Sequence, residues 1–279
     1  MANDEHLKLI RQGADVWNAW IKTHHDVRAD LSKADLRRLD LRNGLLYGAT
    51  FQGADLRHAN LRGSDLRHCD LREADLREAD CQWVTFYEAV LSGAKLDNAK
   101  LQGADLRKAI LHHTLLRRAY LRDTNLREAD LHQADLTFAN LTNAVLVQII
   151  LTQAKLSHCR VYGISVWKPE LDGAEQDNLV ITPPDEATVT VDDLEIAQFV
   201  YLLLDNKKVR NAIDTITSKA ILISGGSRLS ARLFWIHSVR NFASMATCRF
   251  FSILISRPAR ISPRLLQRWQ VLLGLSSQI

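Results

Sequence analysis

Three sets of residues in this 279-residue chain have types and spacings that invite a chemical reading. An Asp followed two positions later by an Arg recurs in multiples of five residues, at Asp35/Arg37, Asp55/Arg57, Asp75/Arg77 and Asp105/Arg107. Rows of guanidinium groups attract phosphate, but a carboxylate beside each one repels it, so nucleic acid is a disfavoured partner. His112 and His132 share that spacing, four fives apart, within reach of a shared metal if a further ligand joined them. The next positions of the same series hold Ser92 and Thr152, so two solvated histidines are the expectation. Residues 220–224, a buried-strand candidate, run into Gly225-Gly226, as a phosphate-binding α/β unit begins, but two glycines do not complete such a loop. No Ser/His/Asp or Cys/His grouping accompanies them. The expectation is a chain with no catalytic residues, no metal and no cofactor.

What must position these groups is a five-residue word. Ala74-Asp75-Leu76-Arg77-Glu78 starts again at Ala79-Asp80, and the register runs unbroken from Asp30 to Val161. Of its 27 word centres 23 are Leu, the others being Phe51, Cys81, Phe86 and Val161, so the centre is a core position. A period of five fits neither the 3.6 of a helix nor the 2.0 of a strand. It fits a coil of four sides, one word per side, with the centre pointing in and the chain turning between words. The position two before each centre also points in and must be small, as at Ala54, Ala74 and Ala104. Positions four words apart then stack, with coils ~4.8 Å apart. Leu56, Leu76, Phe86, Leu106 and Leu126 define this core, each buried Leu contributing roughly 1.5–3 kcal/mol.

On this word and register, residues 28–163 resemble the pentapeptide-repeat family. The resemblance implies an all-β solenoid, a right-handed quadrilateral β-helix, here with an N-terminal capping helix and a short α/β remnant at the C-terminus. It also implies candidate activities, since some members are DNA mimics that bind DNA gyrase through a strongly acidic face. This rod differs from such a mimic. Residues 28–163 hold 20 Lys and Arg against 17 Asp and Glu, interleaved, which makes a mutually paired exterior and disfavours gyrase as the partner.

The polar pattern lapses where Val90, Ile110 and Ile150 replace Asp ahead of a centre, and again at Leu115 and Tyr120 on the next two sides. Trp83 and Phe138 fall at corners, two residues after a centre. Apolar groups on an outer surface mark a docking site. Trp83, Val90, Ile110, Leu115 and Tyr120 are therefore the candidate partner-binding patch of a non-enzymatic protein-binding or scaffold protein. The partner is an unidentified protein, a homodimer being admissible; the competing account has the C-terminal segment folding back over the patch.

Residues 1–27 read as an N-terminal cap. Within them residues 5–21 form a helix whose apolar face carries Leu7, Ile10, Ala14, Trp17 and Ile21, suited to plug the Leu-lined end of the rod. Residues 164–190 read as a linker, marked by Pro169, Pro183 and Pro184. Asp192-Asp193-Leu194-Glu195 opens a helix, and residues 209–216 a second. Together with Gln12-Gly13, Trp17-Asn18-Ala19-Trp20 and residues 178–184, the segment 191–219 resembles a bacterial subgroup in which a Toll/interleukin-1-receptor-like (TIR-like) α/β domain follows the rod. That resemblance implies a nucleotide-acting or signalling role for an intact domain beginning at 191–224.

Residues 225–279 depart from everything before them, with eight Arg and no carboxylate, whereas all 32 Asp and Glu precede them. Back-translated one frame over from Gly226, permissible codons encode a well-patterned helix and strand. A frameshift near Gly225-Gly226 is therefore expected, leaving a basic, disordered tail and removing any TIR-like activity; the competing reading is a genuine basic tail that binds membrane or nucleic acid. Asp4, Glu5 and Lys8 interrupt any signal sequence, and no apolar run is long enough to span a membrane. Cys69, Cys81 and Cys159 fall at inward positions, which suits a reducing cytoplasm.

Overall fold

The computed structural model describes residues 2–205. The second helix expected at 209–216, the strand before the glycine pair and the carboxylate-free tail lie outside the described residues.

Each word closes a turn. The Ala79 N–H donates to the Leu76 carbonyl at 3.1 Å, and the corner residue between them, Glu78, has φ 60°. A hydrogen bond across four residues with positive φ at the third is type II geometry. The same left-handed position recurs in nearly every word, filled by glycine at Gly48 and Gly103 but more often by polar residues that tolerate it at some cost. Between turns the backbone pairs with the coils on either side. Leu76 donates to the Lys95 carbonyl at 2.7 Å, and Asp75 donates to the Ala54 carbonyl at 2.9 Å. Parallel bridges run from Asp30↔Thr50 to Arg160↔Val180, each joining a residue to the one four words later, so four words make one coil. Four sides follow: side I carries centres Leu36, Leu56 and Leu76, side II Leu41, Leu61 and Cys81, side III Leu46, Leu66 and Phe86, and side IV Leu31, Phe51 and Leu71.

The core is a column of centres and small residues. Leu56, Leu76, Phe86, Leu106 and Leu126 are all buried, as are Ala54, Ala74 and Ala104. Where the small position carries a polar atom, that atom is used: Ser64 Oγ and Thr114 Oγ1 donate to the Leu41 and Leu91 carbonyls, and the Cys69 and Cys159 thiols to Leu46 and Leu136. Burial pushes the Cys69 and Cys159 thiols up to about 12, and raises Cys81 as well, so these thiols pack as core groups.

The first end is covered by two helices where the sequence suggests one. α1 spans Asp4–Ile10 and α2 Ala14–Thr23, separated at Gly13 with φ 105°. A conformation that only glycine adopts easily turns the chain there, and the apolar periodicity persists across the break because Ile10 and Trp17 enter the same core.

At the other end the coil outlasts the recognisable word. The sequence places a linker after Gly163, yet Ser165 and Val166 continue the stacking in β2 (Ser165–Trp167), parallel to β1 (Val145–Val147). Glu170, Glu175 and Val180 then bridge to Ile150, Lys155 and Arg160 of the coil before. The inward positions remain apolar, with Ile164, Val166, Leu179 and Ile181 buried, but Gln176 replaces a centre and hides the register. β3 (Leu179–Val180) pairs antiparallel with β4 (Thr190–Val191), and α3 (Leu194–Asp205) follows. Asp193 Oδ1 caps α3 by accepting from the Ile196 N–H at 2.9 Å. Gln198 accepts from the Val166 N–H and Gln176 from the Leu194 N–H, so α3 closes the rod's second end. Among the described residues no helix is long and apolar enough to cross a membrane.

Candidate functional site

The recurring Asp and Arg neutralise each other. Asp75 Oδ1 accepts from the backbone N–H of Arg77 at 3.2 Å, and the guanidinium donates through Nε at 2.9 Å and Nη2 at 2.6 Å. The same fork joins Asp35 to Arg37, Asp65 to Arg67 and Asp105 to Arg107. Each pair sits within one turn, so the five-residue word builds its own ion pair. Hydrogen bonds from Arg57 and Arg72 hold the Asp55 and Asp70 carboxyls below the usual carboxylate range. At Asp75 burial alone would raise the carboxyl, and the Arg77 hydrogen bonds outweigh it. A folded-state pKa below the unfolded value contributes stability above about 3.9 and loses it as pH falls through the folded value. The melting temperature should therefore stay level from neutral pH to about 5 and fall steadily below about 4. Thermal unfolding followed by circular dichroism across that range checks this; a melting temperature that rises on acidification would contradict it.

The five apolar patch residues do not share a side. Val90 and Ile110 bridge one another on side IV, Leu115 stands between Lys95 and Asp135 on side I, and Tyr120 stands between Lys100 and Asn140 on side II. Trp83 lies at the corner after side II, with φ 55°. Ile110 is 38 % exposed, Tyr120 46 % and Trp83 52 %, whereas Val90 and Leu115 are half-buried. Together they form a belt around the rod rather than one face. Trp83 owes its position to its neighbours: a Cβ at Gly103 would come within 2.6 Å of Trp83 Cδ1, and the Arg62 guanidinium stacks 4.1 Å from its ring centre. Arg62 follows Asn60 instead of Asp, which leaves it available for the indole.

His112 and His132 meet edge to face one coil apart, with ring centres 6.0 Å apart, and His112 Nε2 meets Asp130 Oδ2 at 2.7 Å. Among the described residues no group of three or more His, Cys, Asp or Glu side chains converges as a metal site. On side III, Arg67, Tyr87 and Arg107 with Asp65, Thr85 and Asp105 line a shallow trough of ≈ 580 Å³. Arg107 lies 5.4 Å from the Tyr87 ring centre and Arg67 5.6 Å from that of Tyr47. The regular spacing of Tyr47, Arg67, Tyr87 and Arg107 was visible, but attention to Asp–Arg pairs alone passes over the tyrosines between them.

A four-sided solenoid of five-residue words, carrying a paired exterior and an apolar belt, defines the class of protein. The model of pentapeptide repeats matches in overlapping segments from residue 27 to residue 164. Among solved structures, alr5209, a pentapeptide repeat protein from Nostoc PCC 7120, is 32 % identical over 44 % of this chain and 84 % of its own (TM-score 0.23). HetL, a pentapeptide repeat protein involved in heterocyst differentiation regulation from Nostoc sp. strain PCC 7120, is 29 % identical over 57 % of this chain and 86 % of its own (TM-score 0.27). QnrB1, a plasmid-mediated fluoroquinolone resistance protein, is 18 % identical over 51 % and 79 % (TM-score 0.27). A comparison with curated proteins gave no match. The repeat and the sequence identity, not overall superposition, carry the assignment: the chain belongs to the pentapeptide-repeat family.

Proposed function

We propose that this chain is a non-enzymatic scaffold that binds a protein partner through the exposed belt formed by Trp83, Val90, Ile110, Leu115 and Tyr120. The observation that carries the reading is local. In seven words the position ahead of a centre holds an Asp that locks the Arg two residues on, whereas at Val90, Ile110, Leu115 and Tyr120 that position is apolar without being buried. Exposed aromatic and aliphatic side chains on a rigid support are the groups that dominate protein interfaces. The relatives' descriptions add a regulatory protein and a resistance protein of the same fold. A nucleotide-acting TIR-like role for the segment from residue 191 draws on resemblance alone, and α3 is engaged in covering the last coil. A gyrase-binding mimic would want carboxylates where this rod presents Asp–Arg pairs.

The full-length chain should capture a protein stoichiometrically, with loss of capture in Ile110→Asp or Leu115→Asp at unchanged melting temperature. Equal capture by the variants would remove the belt from the interface, and the absence of any captured protein, a second copy included, would overturn the scaffold reading.

A further inference from the structure

Charge around the belt is uneven in a way the overall count conceals. Residues 28–94 carry ten Lys and Arg against eleven Asp and Glu, whereas residues 95–163 carry ten against six. Stacking at intervals of four words assigns that surplus to two adjacent sides. Sides I and II of these coils hold seven basic residues against Asp97, Asp123 and Asp135, while sides III and IV hold three of each sign. The cause is a change in the word itself: the Asp ahead of the centre gives way to Lys95, Lys100, Leu115, Tyr120 and Lys155.

Leu115 and Tyr120 belong to consecutive words of one coil and bridge to Lys95 and Lys100 of the coil before. Lys95, Lys100, Arg118 and Arg122 are exposed around them. An apolar centre within a basic rim is an interface for a partner of opposite charge, the apolar groups giving affinity and the rim giving orientation and encounter rate. We propose that sides I and II between Lys95 and Lys155 dock an acidic protein segment that carries an apolar anchor. The anchor seats on Leu115 and Tyr120, and the segment's carboxylates meet Lys95, Lys100 and Arg118, Arg122 being paired with Asp123 at 3.1 Å.

This deepens the scaffold reading and rests on it. A nucleic acid fits the surface less well. A single strand stacks successive bases on successive open rings, but beside the exposed Tyr120 the surface offers Phe138, stacked on His158 (4.8 Å, 7°) with Arg118 over its ring at 5.7 Å, and Trp83, set between Arg62 and Gly103.

The test is fluorescence anisotropy with the full chain and a labelled peptide of mixed Glu, Leu and Tyr. Lys100→Glu with Arg118→Glu should weaken binding roughly tenfold. Lys108→Glu with Arg127→Glu, an equal charge change on side III, should leave it within about twofold. Equal weakening by both pairs, no binding at all, or tighter binding of an oligothymidylate of matched charge would overturn the proposal. Lys100→Gln with Arg118→Gln gives the same direction of change should the Glu pair not fold. A natural partner lost from Leu115→Asp but indifferent to the Lys100/Arg118 reversal would leave the scaffold reading standing and remove the acidic segment.

Discussion

Phe86→Ala is expected to lower the unfolding free energy by about 3–5 kcal/mol and to divide one unfolding transition into two. Phe86 is fully buried at a side III centre, stacked between the centres Leu66 and Leu106 of the coils on either side. Its coil compensates for its size in advance: the preceding centre is Cys81, smaller than the usual Leu, and both are fully buried. Truncating Phe86 leaves a small centre beside a smaller one, and the ladders above and below, bonded through Asp105 and Thr85, hold the coil open. A packed interior gains little by relaxation under such constraint, so the cavity term is felt nearly in full. Because each coil touches only its neighbours, the lesion weakens coupling between the two halves of the rod. Guanidinium unfolding followed by circular dichroism should show a lower midpoint and a broadened or biphasic curve. A single transition at the original midpoint would mean that Phe86 does not fill this core.

The core was legible because its signal is redundant. A Leu at every fifth position and a small residue two before it, over 27 words, admit few foldings, and Leu56, Leu76, Phe86, Leu106 and Leu126 are buried accordingly. The ends were less legible for opposite reasons. At Gly13 the apolar spacing continued while the backbone turned, so the pattern hid a break that the glycine itself announced. After Gly163 the backbone continued while the pattern failed, since Gln176 at a centre turns its side chain to α3. The candidate surface was half legible. Counting words in fours names each apolar lapse and its side, but not how far each side chain stands out: Val90 and Leu115 are half-buried where Ile110, Tyr120 and Trp83 are exposed. That count separates Ile110 on side IV from Leu115 on side I and Tyr120 on side II, and it also uncovers the basic surplus that a near-balanced total conceals.

Trp17→Ala is expected to cost about 3–5 kcal/mol and to act first on the coil it covers. Inside the rod, the residue ahead of a centre gives its N–H to the coil before and receives one in return: Asp65 donates to the Gly44 carbonyl and accepts from Leu46. The first coil has no coil before it, and the N-terminal helices supply those partners from side chains. The Trp17 Nε1–H donates to the Leu45 carbonyl at 2.8 Å, Asn18 Oδ1 accepts from the Leu45 N–H at 2.7 Å, and His6 Nδ1 accepts from the Asp30 N–H at 3.1 Å. The Asp30 carbonyl is met by the Asn3 N–H at 3.0 Å. Trp17 is also 1 % exposed and packs edge-on against His6, so its loss removes both a hydrogen bond and the plug over the Leu-lined end. Trp17→Phe separates the two, since it keeps most of the burial and leaves one carbonyl unpaired, at about 1–3 kcal/mol. Native-state hydrogen exchange reads the location: protection at Leu31, Leu36, Leu41 and Leu46 should fall well before protection at Leu106 or Leu111, because unfolding starts from an uncovered end in a nearest-neighbour solenoid. Equal loss along the whole rod would mean that the cap stabilises the fold globally. The uncovered end also presents a row of unpaired backbone groups, so the Ala variant should self-associate with rising concentration where the Phe variant stays dispersed.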